Sequence, residues 1–157
     1  MRLTTKGRFA VTAMLDLVLH HSKNPVPLSE ISARQKISLL YLEQLFGKLR
    51  RAGLVDSVRG AGGGYAPVRD ALQLTVADIV RSVETPEPAQ CGCRKNCQDE
   101  ERCMTHELWA NLNVKMDEYM ASVTLQDLVD KRLEKHDQKS ITNNMRHLSL
   151  LRADNYA

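Results

Sequence analysis

Apolar positions crowd the segment Phe9–Leu19, where Phe9, Ala10, Val11, Ala13, Met14, Leu15, Leu17, Val18 and Leu19 leave few polar breaks. A helix that is apolar nearly all round packs at the centre of a fold, so this run predicts a buried first helix. Asn24-Pro25-Val26-Pro27 stops it and turns the chain. A short helix is predicted over Leu28–Gln35, with Leu28 and Ile31 on one face, followed by a turn at Lys36-Ile37. Ser38 is a suitable N-cap for the next helix, Leu39 to about Arg51. Leu42, Leu45, Phe46 and Leu49 repeat there at three and four residues, which predicts its buried stripe.

The pattern then becomes strand-like. Leu54–Val58 is β-prone, Arg59–Gly64 is a glycine-rich tip, and Tyr65–Val68 returns as a second strand. Two short strands around such a tip make a wing. Further on, Leu74–Val83 predicts a short helix with Leu74, Ile79 and Val83 apolar, ended by Thr85-Pro86-Glu87-Pro88. A long helix is predicted from about Thr105 to about Ala121, striped by Leu108, Trp109, Leu112, Met116, Tyr119 and Met120. Thr124-Leu125-Gln126-Asp127 has the form of a cap that starts a final helix reaching about Lys135. Beyond His136 the chain is polar, and a loose tail is expected.

The fold class expected is therefore mainly α with a small β wing: a winged helix-turn-helix DNA-binding domain plus a long dimerisation helix. The division expected is a DNA-binding unit over 1–70, a linking helix and cysteine-rich loop over 71–104, the dimerisation and final helices over 105–135, and a flexible tail over 136–157. A single chain of 157 residues has little left against which the long helix could bury its stripe, which predicts a symmetric homodimer. The competing reading folds the stripe back on the first helix.

Charge sharpens this picture. Residues 1–70 carry 11 Lys+Arg against 5 Asp+Glu, and residues 71–157 carry 11 against 14, within a formal net charge of +3. A basic front half suits a nucleic-acid partner. No stretch reaches eighteen consecutive apolar residues, so no membrane helix is expected. The basic, apolar start is read as the first helix of a cytoplasmic protein, because Asp16 interrupts the run and no small-residue cleavage site follows.

The outer face of the Leu39–Arg51 helix carries Leu40, Tyr41, Glu43, Gln44, Lys48 and Arg51. Glutamine bonds adenine in the major groove, glutamate accepts from the cytosine amino group, and leucine touches a thymine methyl. Lys48, Arg50 and Arg51 are expected toward phosphates, which give affinity without sequence information. Any amphipathic surface helix presents such a polar face; the wing is what favours DNA. Arg59 at its tip is placed to enter a minor groove narrowed by A·T pairs. A phosphate-loop reading of the glycines fails, because Tyr65 stands where the dinucleotide fingerprint needs glycine and no Lys-Ser/Thr pair follows.

All four cysteines lie in CGCRKNCQDEERCMTH, spaced Cys91-x5-Cys97-x5-Cys103-x2-His106 with Cys93 in addition. Soft thiolates and a borderline imidazole suit zinc or an iron–sulfur cluster. Zinc sites usually tighten on C-x2–4-C knuckles, which are absent here; the wider loops suit a two-iron centre that takes two protein ligands on each iron. A structural zinc and a thiol switch remain as alternatives. No nucleophile–base pair or acid pair supports an enzyme.

Together, MRLTTKGRFAVTAMLDL, ISLLYLEQLFGKLRRAGLV, SVRGAGGGY and the Cys-x5-Cys-x5-Cys-x2-His segment resemble the IscR-type, iron–sulfur-cluster-sensing transcription regulators of bacteria, collinearly from residue 1 to about 135. The resemblance implies a homodimeric winged-helix protein whose 2Fe–2S cluster is held by Cys91, Cys97, Cys103 and His106 and supplied by the cluster assembly machinery. It implies base reading by Glu43 and Gln44 and a wing contact by Arg59. It also implies repression of the cluster-assembly operon by the cluster-bearing form, binding of a second class of sites by the cluster-free form, and a part for Glu43 in separating the two classes. Two residues depart from the pattern. Leu40 stands where a small polar residue is common, and Lys36 where glycine is usual in the turn.

Overall fold

The computed structural model describes residues 4–22, 24–60, 62–68, 73–84 and 105–134. Helices α1 (Thr5–His20), α2 (Leu28–Gln35) and α3 (Leu39–Arg51) are followed by strands β1 (Val55–Val58) and β2 (Gly64–Pro67), then by α4 (Val76–Val83) and α5 (His106–Ser122). A last helix, α6, spans 125–134.

The cores of α1 and α3 follow the predicted stripes. Ala10, Ala13, Met14 and Leu17 of α1 meet Leu42, Leu45, Phe46 and Leu49 of α3, with Ile31 of α2 between them. Leu74, Ile79, Val83 and Leu125 complete the same cluster. One core therefore runs across residue 70, and α1, α2 and α3 rest on helices from the second half of the chain.

α1 is less evenly buried than its composition suggests. Phe9 is 37% exposed, while Asp16, which the sequence marks only as a break in the apolar run, is 2% exposed. Its carboxylate accepts from Arg34 Nη2 at 2.7 Å and Nε at 3.0 Å, and also from Gln35 Nε2. Arg34 in turn donates to Glu30 at 3.1 Å. Burial alone raises the Asp16 carboxyl, but the bonds from Arg34 and Gln35 and the adjacent charge outweigh it and hold the group below the ordinary carboxylate range. This knot fixes the end of α2 against α1.

The turn from α2 into α3 needs a left-handed residue, and Lys36 takes it, at φ 57° and ψ 36°. A side chain there costs on the order of 1 kcal/mol relative to glycine. Ser32 Oγ donates to the Ile37 carbonyl at 2.6 Å across the turn. Ser38 holds the N-cap position of α3 without a side-chain cap bond.

β1 and β2 pair antiparallel, Val55 opposite Pro67 and Val58 opposite Gly64. Two glycines make the wing possible by close approach. A Cβ on Gly63 would lie 2.4 Å from the Val58 carbonyl oxygen, and one on Gly64 would lie 2.5 Å from the Val26 carbonyl. The second contact lets Val26 and Tyr65 exchange backbone bonds at 2.8 and 2.9 Å, tying the wing to the segment before α2.

Thr75 caps α4 with a reciprocal Thr75–Asp78 box. Thr124 and Asp127 make the matching pair before α6, at 2.8 and 3.1 Å. These two caps lie side by side, because Val76 N–H donates to Val123 and Leu125 N–H donates to Leu74. Along α5 the predicted stripe divides. Met120 is buried on Ala77 and Val80, with Met116 and Val11 beside it, so this end packs within the chain, chiefly on α4 and not on the first helix as the competing reading had it. Leu108, Trp109, Leu112 and Tyr119 stay exposed.

Candidate nucleic-acid interface and cysteine segment

α3 is rigid because one face is fully buried; its other face turns Leu40, Glu43 and Gln44 to solvent. Glu43 and Gln44 are adjacent, and Leu40 stands one turn before Gln44. Arg59 is exposed where β1 runs into the wing tip. The arrangement brings two base-edge chemistries and a wing cation to the surface of one unit.

Other residues singled out in the sequence are placed differently. Tyr41 is half-buried, its ring edge-on to Phe9 with centroids 5.9 Å apart and planes at 84°. Lys48 does not extend outward. Its ammonium donates to the Val83 carbonyl at 2.8 Å, at the C-terminus of α4. Desolvation lowers the Lys48 pKa, the nearby Lys6 and Arg51 charges add to that, and Glu84 opposes it. The reason is tertiary: the last turn of α4 offers free carbonyls and a negative helix end beside α3. Arg51 is exposed but donates to Gly47 of its own helix at 3.0 Å. Arg50 reaches Ser57 Oγ at 3.1 Å and joins α3 to β1.

Two features escaped the sequence reading. Phe9 and Ile37 line an open, largely apolar hollow of about 490 Å³ together with Leu40, Tyr41 and Gln44. Their apolar character was visible, but their meeting beside α3 depends on how α1 crosses it. Glu84 is the second. Its Oε1 accepts from Thr4 N–H at 3.2 Å, Gly7 N–H at 3.1 Å and the Thr4 hydroxyl, an acid on the positive end of α1. Val83 and Glu84 thus tie the end of α4 to both α3 and α1.

Of the proposed ligands, Cys91, Cys97 and Cys103 lie outside the described residues. His106 is the first residue of α5, and its side chain lies outside them too. Among the described residues no group of three His, Cys, Asp or Glu side chains could hold a metal. No helix among them is long and apolar enough to cross a membrane.

Comparison with known proteins decides the family. The profile of the Rrf2 family, described as an iron-dependent transcriptional regulator, matches residues 3–131. The chain belongs to the Rrf2 family. It is an IscR-type member: the regulator IscR of Photorhabdus laumondii is 50% identical over 133 residues, 84% of this chain and 81% of that protein. Among solved structures, T. potens IscR superposes with a TM-score of 0.68 at 36% identity, covering 84% of this chain and 88% of that one. CymR, the global cysteine regulator of B. subtilis, superposes with a TM-score of 0.69 at 37% identity, covering 83% and 98%. This Rrf2 protein is a DNA-binding transcriptional regulator and not an enzyme, and its fold is the winged helix-turn-helix that the stripes predicted.

Proposed function

We propose that this Rrf2 protein senses 2Fe–2S occupancy and controls iron–sulfur cluster assembly genes, acting mainly as a repressor when loaded. The observation that carries the DNA half is the exposed Leu40–Glu43–Gln44 face on a helix whose other side is locked in the core, with the Arg59 wing beside it. The sensing half is supported by the donor set: three cysteines and one histidine, His106 being the first residue of α5, match a two-iron centre in number and softness.

In this reading Cys91, Cys97, Cys103 and His106 hold the cluster, which the assembly machinery donates, and which supplies a redox- and supply-sensitive charge when bound. A lone imidazole ligand is proton-labile and holds less firmly than thiolate, which suits a centre that is gained and lost. Two chains pair through the exposed part of α5, and a symmetric pair presents one α3 to each half of a pseudo-palindromic operator. Glu43 and Gln44 read base edges, and Arg59 enters the minor groove. Arg51 is left near phosphates; Lys48 serves the protein's own framework instead. A protein with these partners works in the cytoplasm.

The test is iron, acid-labile sulfide and zinc per chain in protein purified without oxygen, with a visible spectrum. About two irons and two sulfides per chain with a red-brown colour support the reading. One zinc, no sulfide and no colour would make residues 91–106 a structural clip. A second reading, a thiol switch among the four cysteines, predicts neither metal nor sulfide and oxidant-dependent loss of free thiols.

A further inference from the structure

We propose that Leu40 and the hollow beside it form a reading site for the C5 methyl of a pyrimidine, a thymine in unmodified DNA, one or two base pairs from the one Gln44 contacts. The inference rests on the reading of α3 as the helix that enters the major groove.

A single exposed leucine is ordinary. Leu40 differs in its surroundings. It is 66% exposed and continues into the open hollow walled by Phe9, Ile37 and Tyr41, with Lys36 and Gln44 also in the wall. The edge-on packing of Tyr41 against Phe9 braces that wall, so the apolar surface is formed before anything binds. Leu40 offers no donor or acceptor, so it cannot read a hydrogen-bonding edge. In the major groove the one apolar group that a base presents is the thymine methyl. Gln44 lies one helical turn further along the same face, about 6 Å away, and successive base pairs are about 3.4 Å apart. When Gln44 contacts one base pair, Leu40 therefore stands over a base pair one or two steps away. Lys36 in the wall suits a polyanion alongside the hollow better than an uncharged apolar peptide.

The experiment uses the full chain, purified without oxygen. A randomised duplex library is selected for binding, and the enriched duplex is resynthesised with deoxyuridine in place of each thymidine in turn. Uracil keeps every hydrogen bond and loses only the methyl. One position per half-site, one or two steps from the base at which Gln44→Ala relaxes preference, is expected to lose about four-fold in affinity, the value of one buried methyl. In Leu40→Ala that thymine and uracil are expected to bind alike, with a circular-dichroism spectrum matching the parent. At the same position 5-methylcytosine is expected to bind about four-fold better than cytosine. Equal binding of thymine and uracil at every position, or a thymine preference that survives in Leu40→Ala, overturns the inference while leaving DNA binding intact. Failure to enrich any duplex overturns the underlying reading of α3, and the inference with it.

Discussion

Replacing Asp16 by Asn tests whether the buried carboxylate knot holds the helix-turn-helix together. The substitution keeps the shape and removes the charge. It leaves Arg34 with the exposed Glu30 as its remaining charged partner and Gln35 facing an amide. Breaking a buried ion pair costs about 3–5 kcal/mol. Here Arg34 is 29% exposed and can recover water, so the expected loss is lower, about 2–4 kcal/mol. Urea unfolding at one fixed protein concentration measures it, since association of chains would otherwise shift the midpoint. At a slope of about 2 kcal/mol per molar the midpoint should fall by about 1–2 M with the slope unchanged. The pH dependence gives an independent check. The folded Asp16 carboxyl titrates below its ordinary value, so its contribution is present above an unfolded value of about 3.9 and is lost as pH falls through the folded one. The gap between parent and Asp16→Asn should therefore be widest near neutral pH and close in acid. A midpoint shift under about 0.3 M, or a gap that stays constant from pH 7 down to pH 2, would refute the argument.

Lys48→Met should weaken folding by about 1 kcal/mol through loss of the bond to Val83, yet leave the slope of log affinity against log salt unchanged; a slope smaller by about one per half-site would return Lys48 to the phosphates. Arg59→Ala should reduce that slope by about 0.9 per half-site and weaken binding most on duplexes with A·T-rich flanks, and equal loss on G·C-rich flanks would remove the minor-groove contact. Gln44→Ala should relax preference at one position per half-site by about 1–3 kcal/mol, read by selection from a duplex library, and an unchanged motif would reject base reading. Leu112→Glu, in the exposed part of α5, should convert dimer to monomer in sedimentation, whereas an unaltered mass would place the pairing surface elsewhere.

The local elements were legible because each rests on short-range physics. The Leu42–Leu45–Phe46–Leu49 stripe has helical spacing, the Gly60–Gly64 tip can turn where other residues cannot, and Thr75 and Thr124 each find an aspartate three residues on. The turn at Lys36 was visible between two helices, but its left-handed conformation was seen only in the structure. The cysteine spacing is likewise a property of the chain alone, and its donor chemistry follows from residue type. Fold class, the reading face of α3 and the candidate ligands came from those signals.

Tertiary structure alone decided which polar groups turn inward and what each finds there. A charged side chain at the surface of one helix costs little until another element removes its water, and then it must be paired. Asp16 is such a residue: only the arrival of Arg34 and Gln35 from α2 turns a break in an apolar run into the anchor of the motif. Lys48 shares the outward side of α3 with Gln44, yet its ammonium donates to the Val83 carbonyl at the end of α4. The hollow beside Leu40 exists because α1 brings Phe9 against Tyr41 from 32 residues away. Met116 and Met120 leave the exposed stripe because α4 lies under one end of α5. Periodicity along the chain specifies which face of a helix is apolar; which neighbour covers it, and which partner waits for each buried charge, depends on contacts between segments distant in sequence.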